Sequence, residues 1–248
     1  MRPSNEAPGA EPRRLGSYTT AKVSAGRVER IELHVARLRR DAERLGLPPP
    51  DARAVERLFL ESARATFGRG DGIIRVEWSC REGEAPALEA RPRPFVPLGD
   101  AWRAVTAETI HPGPERRANT KFVDVGAYDR GRAQVASSDV DEVLLFDADG
   151  FLVEGSHSNV LVVTQAGHLV TPALPLGAVE GLGMQVLRHG RSIEEARLRA
   201  SDLASAREIL CVNAVRGVVP LCELDGRALA LPEDGGMAAR LSSVFGGR

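Results

Sequence analysis

At 248 residues, with 43% hydrophobic and 27% charged side chains, the chain is long enough to bury one large core or two smaller ones. Its formal net charge of −1 argues against a nucleic-acid binder, and no apolar run approaches the roughly 18 residues of a membrane span. The cysteines, Cys80, Cys211 and Cys222, are odd in number and lack CxxC spacing, so neither a disulfide framework nor a zinc site is implied and a reducing cytoplasm fits.

Residues 1–14 are polar and rich in Pro, Glu and Arg, without the apolar core of a signal peptide, so a disordered tail is expected there. From Val28 to Leu47, apolar residues recur at Ile31, Val35, Leu38, Ala42 and Leu45. This is an amphipathic helix, stopped by Gly46 and Pro48-Pro49-Pro50. Asp51 caps a second helix running through Val55, Leu58, Phe59, Ser62 and Thr66. Asp71-Gly72 introduces a strand over Ile73–Cys80, and a second strand is expected near Leu88–Arg91. The Pro-rich stretch from Pro92 to Pro114 marks a domain boundary, dividing a smaller N-terminal domain, 15–105, from a larger C-terminal one, 106–248.

The second half reads as short strands and helices. A helix is expected over Asp124–Ala136 and a strand over Glu142–Phe146. Asp147–Gly150 suits a tight turn into a strand over Phe151–Val163, interrupted at Gly155. Then come a strand over His168–Thr171, a helix over Leu182–Gly190, a short helix opening at Ser201 and a strand over Glu208–Val212. A hairpin of Val218–Glu223 with Arg227–Leu231 and a helix to the C-terminus close the chain.

Of the 33 basic residues only Lys22 and Lys121 are lysine. Arginine replaces lysine in nearly every surface role but cannot act as an amine nucleophile, so a lysine kept in such a chain points to amine chemistry. A drift in base composition leaves the same bias. Glu154 follows Lys121 by 33 residues, on the far strand of the expected hairpin, where a carboxylate can face inward or into solvent. Gly177-Ala178-Val179-Glu180-Gly181-Leu182-Gly183 runs straight into a helix, an arrangement that frees backbone N–H groups for an anion. It carries neither the dinucleotide glycine order nor the P-loop lysine. The histidines at 34, 111, 157, 168 and 189 are scattered without metal-ligand spacing, and no metal is expected.

Taken together, His34-Val35-Ala36-Arg37-Leu38, Lys121, Asp141 to Gly150, Glu154-Gly155-Ser156-His157-Ser158-Asn159, Thr171-Pro172, Gly181-Leu182 and Asn213-Ala214 before Val218-Val219-Pro220 resemble the fold-type IV pyridoxal-phosphate enzymes. These are the class IV aminotransferases, among them branched-chain and D-amino-acid transaminases, and aminodeoxychorismate lyase. The resemblance implies a two-domain α/β fold with pyridoxal 5'-phosphate in the cleft between the domains, and a homodimer. It implies that Lys121 attaches the cofactor covalently and shuttles a proton, and that Glu154 meets the pyridine nitrogen. Arg37, Leu182, Gly183, Asn213 and Ala214 then bind the phosphate. The implied reaction is transamination between an amino acid and a 2-oxo acid. Aminodeoxychorismate lyase activity is the alternative that Cys211-Val212-Asn213-Ala214 suggests, and a silent homologue acting as a binding protein is another.

The chain departs from the family pattern in places. The Tyr or Arg that contacts the cofactor's phenolic oxygen is missing after Lys121, where Asp124-Val125 stand, and Tyr128 is the nearest substitute. Met184 replaces the arginine common after the phosphate-cup glycine, and the N-terminal substrate-side motif is reduced to Leu15-Gly16-Ser17-Tyr18-Thr19-Thr20. Arg75, Arg116, Arg117 and Arg216 all remain candidate partners for a substrate carboxylate.

Overall fold

A computed structural model describes residues 14–114 and 119–245. The expected tail over 1–14 therefore lies outside the described residues except for Arg14, which begins the first strand, as do Arg116 and Arg117. The chain runs β1 (Arg14–Ser24), β2 (Arg27–Val28), α1 (Ile31–Arg44), α2 (Ala52–Phe67), β3 (Gly72–Arg81) and β4 (Ala87–Arg93). These strands form an antiparallel sheet in the order β2-β1-β3-β4.

The sheet has two unlike faces, because residues paired across an antiparallel ladder point the same way. Thr19 pairs with Val76 and Ala21 with Ile74. That face packs on α1 and α2, where Ala21, Val23, Leu38, Val55, Phe59, Ala63, Ile74 and Val76 form one core. Asp51 caps α2 by accepting from the Ala54 N–H at 2.8 Å, as its position before the helix predicts. On the opposite face Tyr18 pairs with Glu77, Thr20 with Arg75 and Lys22 with Ile73. The register continues into β4, with Glu89 beside Glu77, Arg91 beside Arg75 and Arg93 beside Ile73. One face is thus apolar and the other carries the charges.

The rest of the chain continues as β5 (Trp102–Thr106), α3 (Gly126–Ser137), β6 (Glu142–Phe146), β7 (Leu152–Gly155), β8 (Asn159–Val163) and β9 (Leu169–Pro172). It ends with α4 (Leu182–Arg188), β10 (Glu194–Ala196), α5 (Ala200–Ala204), β11 (Glu208–Asn213), β12 (Gly217–Leu224), β13 (Arg227–Ala228) and α6 (Gly236–Ser242). Nine strands form one sheet, in the order β10-β9-β8-β11-β12-β5-β6-β7 with β13 on β12. The 105/106 division falls inside β5, which pairs with β12 and β6 and so belongs wholly to this larger sheet. The strand expected over Phe151–Val163 is two strands, β7 and β8, broken by Ser156-His157-Ser158. Apolar side chains from both faces of the large sheet make two further cores, one around Leu144, Leu152, Val160 and Leu221 and one around Leu161, Leu187, Leu210 and Val212. Among the described residues no helix is long and apolar enough to cross a membrane.

The two sheets meet at β1. Tyr18 N–H donates to the Lys121 carbonyl at 2.9 Å, Val123 N–H donates to the Gly16 carbonyl at 3.1 Å, and Ser17 bridges to Phe122. The short segment that carries Lys121 is therefore an added strand-like edge on the small sheet.

Candidate active site

Lys121 is fixed by its backbone. Its N–H donates to Asp41 Oδ2 at 3.0 Å, and its ammonium lies 4.9 Å from the centre of the Tyr18 ring. Asp41 is fully buried on α1, one turn after Arg37. Two residues before Lys121, Asn119 adopts φ 62°, a left-handed conformation that asparagine tolerates better than most residues. Its carbonyl accepts from Glu180 N–H at 3.2 Å, and its Nδ2 donates to the carbonyls of Leu174 at 2.7 Å and Ala178 at 3.1 Å.

Glu154 grips the same segment from the other side. It is buried on β7, paired with Leu145 of β6. Its Oε1 accepts from Val179 N–H at 2.9 Å and from the hydroxyl of Tyr128, and its Oε2 accepts from Asn159 Nδ2 at 3.3 Å. Every one of these partners is a donor, which is the environment of an ionised carboxylate. Asn159 also donates to the Val179 carbonyl at 2.9 Å. A Cβ on Gly181 would fall 1.7 Å from Asn159 Oδ1, so only glycine lets the chain pass here.

Arg37 reaches the segment from α1. It is 4% exposed, and its Nη2 donates to the Glu180 carbonyl at 2.5 Å. Its Nε is buried with no hydrogen-bond partner among the described residues. Burial lowers the guanidinium's pKa to about 10, partly countered by Asp41. The Glu180 side chain ties to Arg44 at 2.8 Å and Arg40 at 3.4 Å, so α1 is clamped to this segment along its length.

Leu182 and Gly183 open α4, and no side chain caps that helix. A Cβ on Gly183 would lie 3.0 Å from the Asn213 carbonyl carbon, so glycine permits the close approach of α4 to the turn between β11 and β12. In that turn Asn213 Oδ1 accepts from the N–H groups of Val215 at 3.0 Å and Arg216 at 2.8 Å, with Ala214 between. The segment from Ala178 to Gly183 is thus a hub. Lys121, through Asn119, shares it with Glu154, Arg37, Leu182, Gly183 and the Asn213-Ala214 turn.

The remaining sequence candidates sort by their neighbours. Tyr128 donates its hydroxyl to Glu154, and His111 Nε2 lies 2.8 Å from that hydroxyl. Arg75 stacks 3.7 Å from the centre of the Tyr18 ring and donates to Glu77 Oε2 at 2.9 Å. The serines of the Glu-Gly-Ser-His-Ser-Asn stretch serve Glu142. Its buried carboxylate accepts from Ser156 Oγ at 2.7 Å, from Ser158 Oγ at 2.6 Å and from His157 N–H. Burial alone would push this carboxyl up, but the His157 and serine hydrogen bonds outweigh it and hold it below the ordinary range. His111, Asp41 and Glu180 escaped the sequence reading as site residues. Their roles come from contacts 17, 80 and 143 residues apart, and no local spacing signals those. Among the described residues no group of three His, Cys, Asp or Glu side chains is placed to hold a metal ion.

Residues 16–224 match the family model described as amino-transferase class IV. A protein assigned as a branched-chain-amino-acid aminotransferase from Methanocaldococcus jannaschii is 29% identical over 46% of this chain and 41% of its own length, so the chain spans about four-tenths of that relative. The bifunctional aminodeoxychorismate lyase / D-amino acid transaminase of Mycobacterium tuberculosis is 26% identical over 86% of this chain and 83% of its own. Among solved structures, the PLP-bound form of a hypothetical aminotransferase from Mycobacterium tuberculosis superposes with a TM-score of 0.79 at 24% identity, covering 99% of this chain and 95% of that one.

Proposed function

The chain belongs to the class IV aminotransferase family, and from that premise we propose that it is a pyridoxal-phosphate enzyme that moves an amino group between an amino acid and a 2-oxo acid. The observation that carries this is the shared hub. A lysine, a buried carboxylate and a buried arginine with an unpartnered Nε all converge on Ala178 to Gly183.

The residues fit the cofactor. A buried Arg37 Nε without a partner costs stability in the free protein and suits a phosphate oxygen. The first N–H groups of α4 have no intrahelical acceptor, and Gly183 brings them beside Asn213 and Ala214. Arg37, Leu182, Gly183, Asn213 and Ala214 would hold the phosphate. When bound, pyridoxal phosphate supplies an electron sink for the pair left when a substrate Cα–H bond breaks. Lys121 Nζ would attach the cofactor, and the same amine, once free, would take the substrate's Cα proton and deliver it to the carbon on the far side of the amino nitrogen. Glu154, which accepts from Tyr128, Val179 and Asn159, would meet the pyridine nitrogen and favour its protonated form. Tyr18, stacked beside Lys121 and Arg75, walls the substrate side. The protein acts as a cytoplasmic homodimer on small amino and 2-oxo acids, with no nucleic acid or membrane partner.

The bifunctional relative favours a second reading, elimination of pyruvate from aminodeoxychorismate to leave 4-aminobenzoate. It uses the same lysine as proton carrier but needs no second 2-oxo acid.

The test is the absorbance of purified protein with pyridoxal phosphate, followed by addition of single amino acids. Conversion to the pyridoxamine form by a donor, abolished in Lys121→Ala, supports transamination. Pyruvate release from aminodeoxychorismate without any acceptor supports the lyase. Cofactor uptake with no response to any amine tested leaves a silent binding protein.

A further inference from the structure

Five residues of α1 face inward: His34, Arg37, Leu38, Asp41 and Ala42. Leu38 and Ala42 are the apolar side chains that an amphipathic helix buries. The other three are polar and form a row at positions i, i+3 and i+7. Each meets a different part of the molecule. His34 Nδ1 lies 2.6 Å from the Thr19 hydroxyl on β1, Arg37 Nη2 donates to the Glu180 carbonyl, and Asp41 Oδ2 accepts from the Lys121 N–H at 3.0 Å. One polar row thus ties α1 to β1, to the hub and to the lysine segment.

Asp41 ends that row with both oxygens in use and no exposure to solvent. While Oδ2 holds Lys121, Oδ1 lies 3.3 Å from Nε and Nη2 of the partly exposed Arg40. The Lys121 carbonyl is taken as well, by Tyr18 N–H at 2.9 Å, so the lysine is anchored on the helix through one backbone group and on β1 through the other. A neutral acceptor would satisfy the Lys121 N–H, and burying a carboxylate costs more than burying an amide or a hydroxyl. The charge has a counterpart one turn back, because Arg37 and Asp41 are i, i+4 neighbours and both are buried. Burial lowers the Arg37 guanidinium to about 10; Asp41 counters that fall, Arg40 adds to it, and Tyr18 and Glu180 counter it further. His34, on the turn before, is uncharged near neutral pH because burial and then Arg37 lower it to about 3.

We propose that Asp41 is a positioning residue for both arms of the cofactor site: Oδ2 fixes the backbone from which the Lys121 amine projects, and the carboxylate supplies the counter-charge of the buried Arg37. One side chain then sets the lysine and the phosphate arm relative to each other. The proposal rests on the pyridoxal-phosphate part of the aminotransferase reading, and its test needs no turnover.

Two fragments of the cofactor separate the arms. Pyridoxal has the aldehyde without the phosphate, and pyridoxamine 5'-phosphate has the phosphate without the aldehyde. Capture of pyridoxal is read as mass added to the Lys121 peptide under cyanoborohydride, with Lys22 as the internal standard. Pyridoxamine-phosphate affinity is read by fluorescence quenching from pH 7.5 up through about 10. Asp41→Ala should slow capture at Lys121 about tenfold or more against Lys22, the scale of a misplaced reacting group. Asp41→Asn keeps an acceptor for the Lys121 N–H and should hold most of the wild-type rate. Both variants lose the charge, so in both the affinity should weaken at lower pH than in the wild type, because Arg37 gives up its proton sooner. A merely structural Asp41 would move neither the Lys121-to-Lys22 ratio nor the pH of that weakening. An unchanged ratio in Asp41→Ala, or an unmoved alkaline limb in Asp41→Asn, would overturn the proposal. So would an Asp41→Asn protein with no urea transition, which would assign the carboxylate to the fold alone. Failure of the underlying reading is separately visible. A wild type that captures pyridoxal no faster at Lys121 than at Lys22 and shows no quenching with pyridoxamine phosphate loses the cofactor and the proposal together. A protein that does both but transaminates no amino acid loses only the aminotransferase reading.

Discussion

Tyr128 donates its phenolic proton to the carboxylate of Glu154, and His111 stands behind it with Nε2 2.8 Å from the same hydroxyl. Gly113 N–H donates to His111 Nδ1 at 3.0 Å, so that nitrogen is the bare acceptor and the ring proton sits on Nε2. Donation therefore runs from His111 to Tyr128 to Glu154, ending on the oxygen that also receives Val179 N–H. Tyr128→Phe removes one donor from a buried carboxylate and lets it gain a proton more readily. The expected result is a kcat lowered about tenfold with a smaller change in KM. The pH titration of the bound cofactor's absorbance should move as well. An unchanged titration with normal kcat would mean that the phenol only fills space.

Glu142 tests the packing of the broken strand between β7 and β8. Its carboxylate accepts from Ser156, Ser158 and the His157 backbone and has no exposure to solvent. Glu142→Gln turns an amide NH₂ toward groups that can only donate in this arrangement. We expect a loss of about 3 kcal/mol, read as a lower urea midpoint with an unchanged slope. Ser156→Ala should cost less, because Ser158 and the backbone remain.

Two helices and most strands of this fold could be read from periodicity, but β1 could not. Its buried positions toward α1 and α2 begin with Ser17 and Thr19, so apolar alternation appears only at Ala21 and Val23. Thr19 is buried because its hydroxyl meets His34 Nδ1 at 2.6 Å, a contact with no local signal. β5 is hidden similarly, since a proline-rich approach masks a five-residue strand whose partners lie in β6 and β12. Family-like motifs single out Lys121, Glu154 and Arg37, with the lysine's rarity as an independent hint. What the motifs lacked was the connecting hardware: Asp41 holding the lysine's backbone, Asn119 turning the chain, and Tyr128 on the carboxylate. Those residues act through long-range side-chain contacts, which depend on the assembled fold.

His34 should make the protein acid-sensitive. Burial, then the charges of Arg37 and Arg30, lower its pKa from 6.5 to about 3. The folded state thus binds the proton less tightly than the unfolded chain does. Stability is full above about 6.5, declines as pH falls below that value, and stops declining through His34 near 3. The loss is on the order of a few kcal/mol. Thermal midpoints measured between pH 7.5 and 4 should show this slope in the wild type and a shallower one in His34→Gln. Parallel slopes would place the acid sensitivity elsewhere, Glu142 being the next buried group to examine.

Arg37 separates cofactor binding from folding. Its Nε has no partner among the described residues, and its Nη2 donates to the Glu180 carbonyl, so the free protein gains little from its charge. Arg37→Met keeps the packing of the side-chain stem and removes the guanidinium. Apo stability should change by no more than about 1 kcal/mol, because a desolvated charge is lost together with its hydrogen bond. Pyridoxal-phosphate affinity should fall by about ten- to a hundredfold, the scale of a lost charge-assisted contact to phosphate. A second signature comes from pH. Because burial brings the Arg37 guanidinium down to about 10, wild-type affinity should weaken as pH rises through that value, and Arg37→Met should lack that limb. Equal cofactor affinity in variant and wild type, measured by fluorescence quenching at pH 7.5, would remove Arg37 from the phosphate site and leave its buried charge to be explained by the clamp on Glu180 alone.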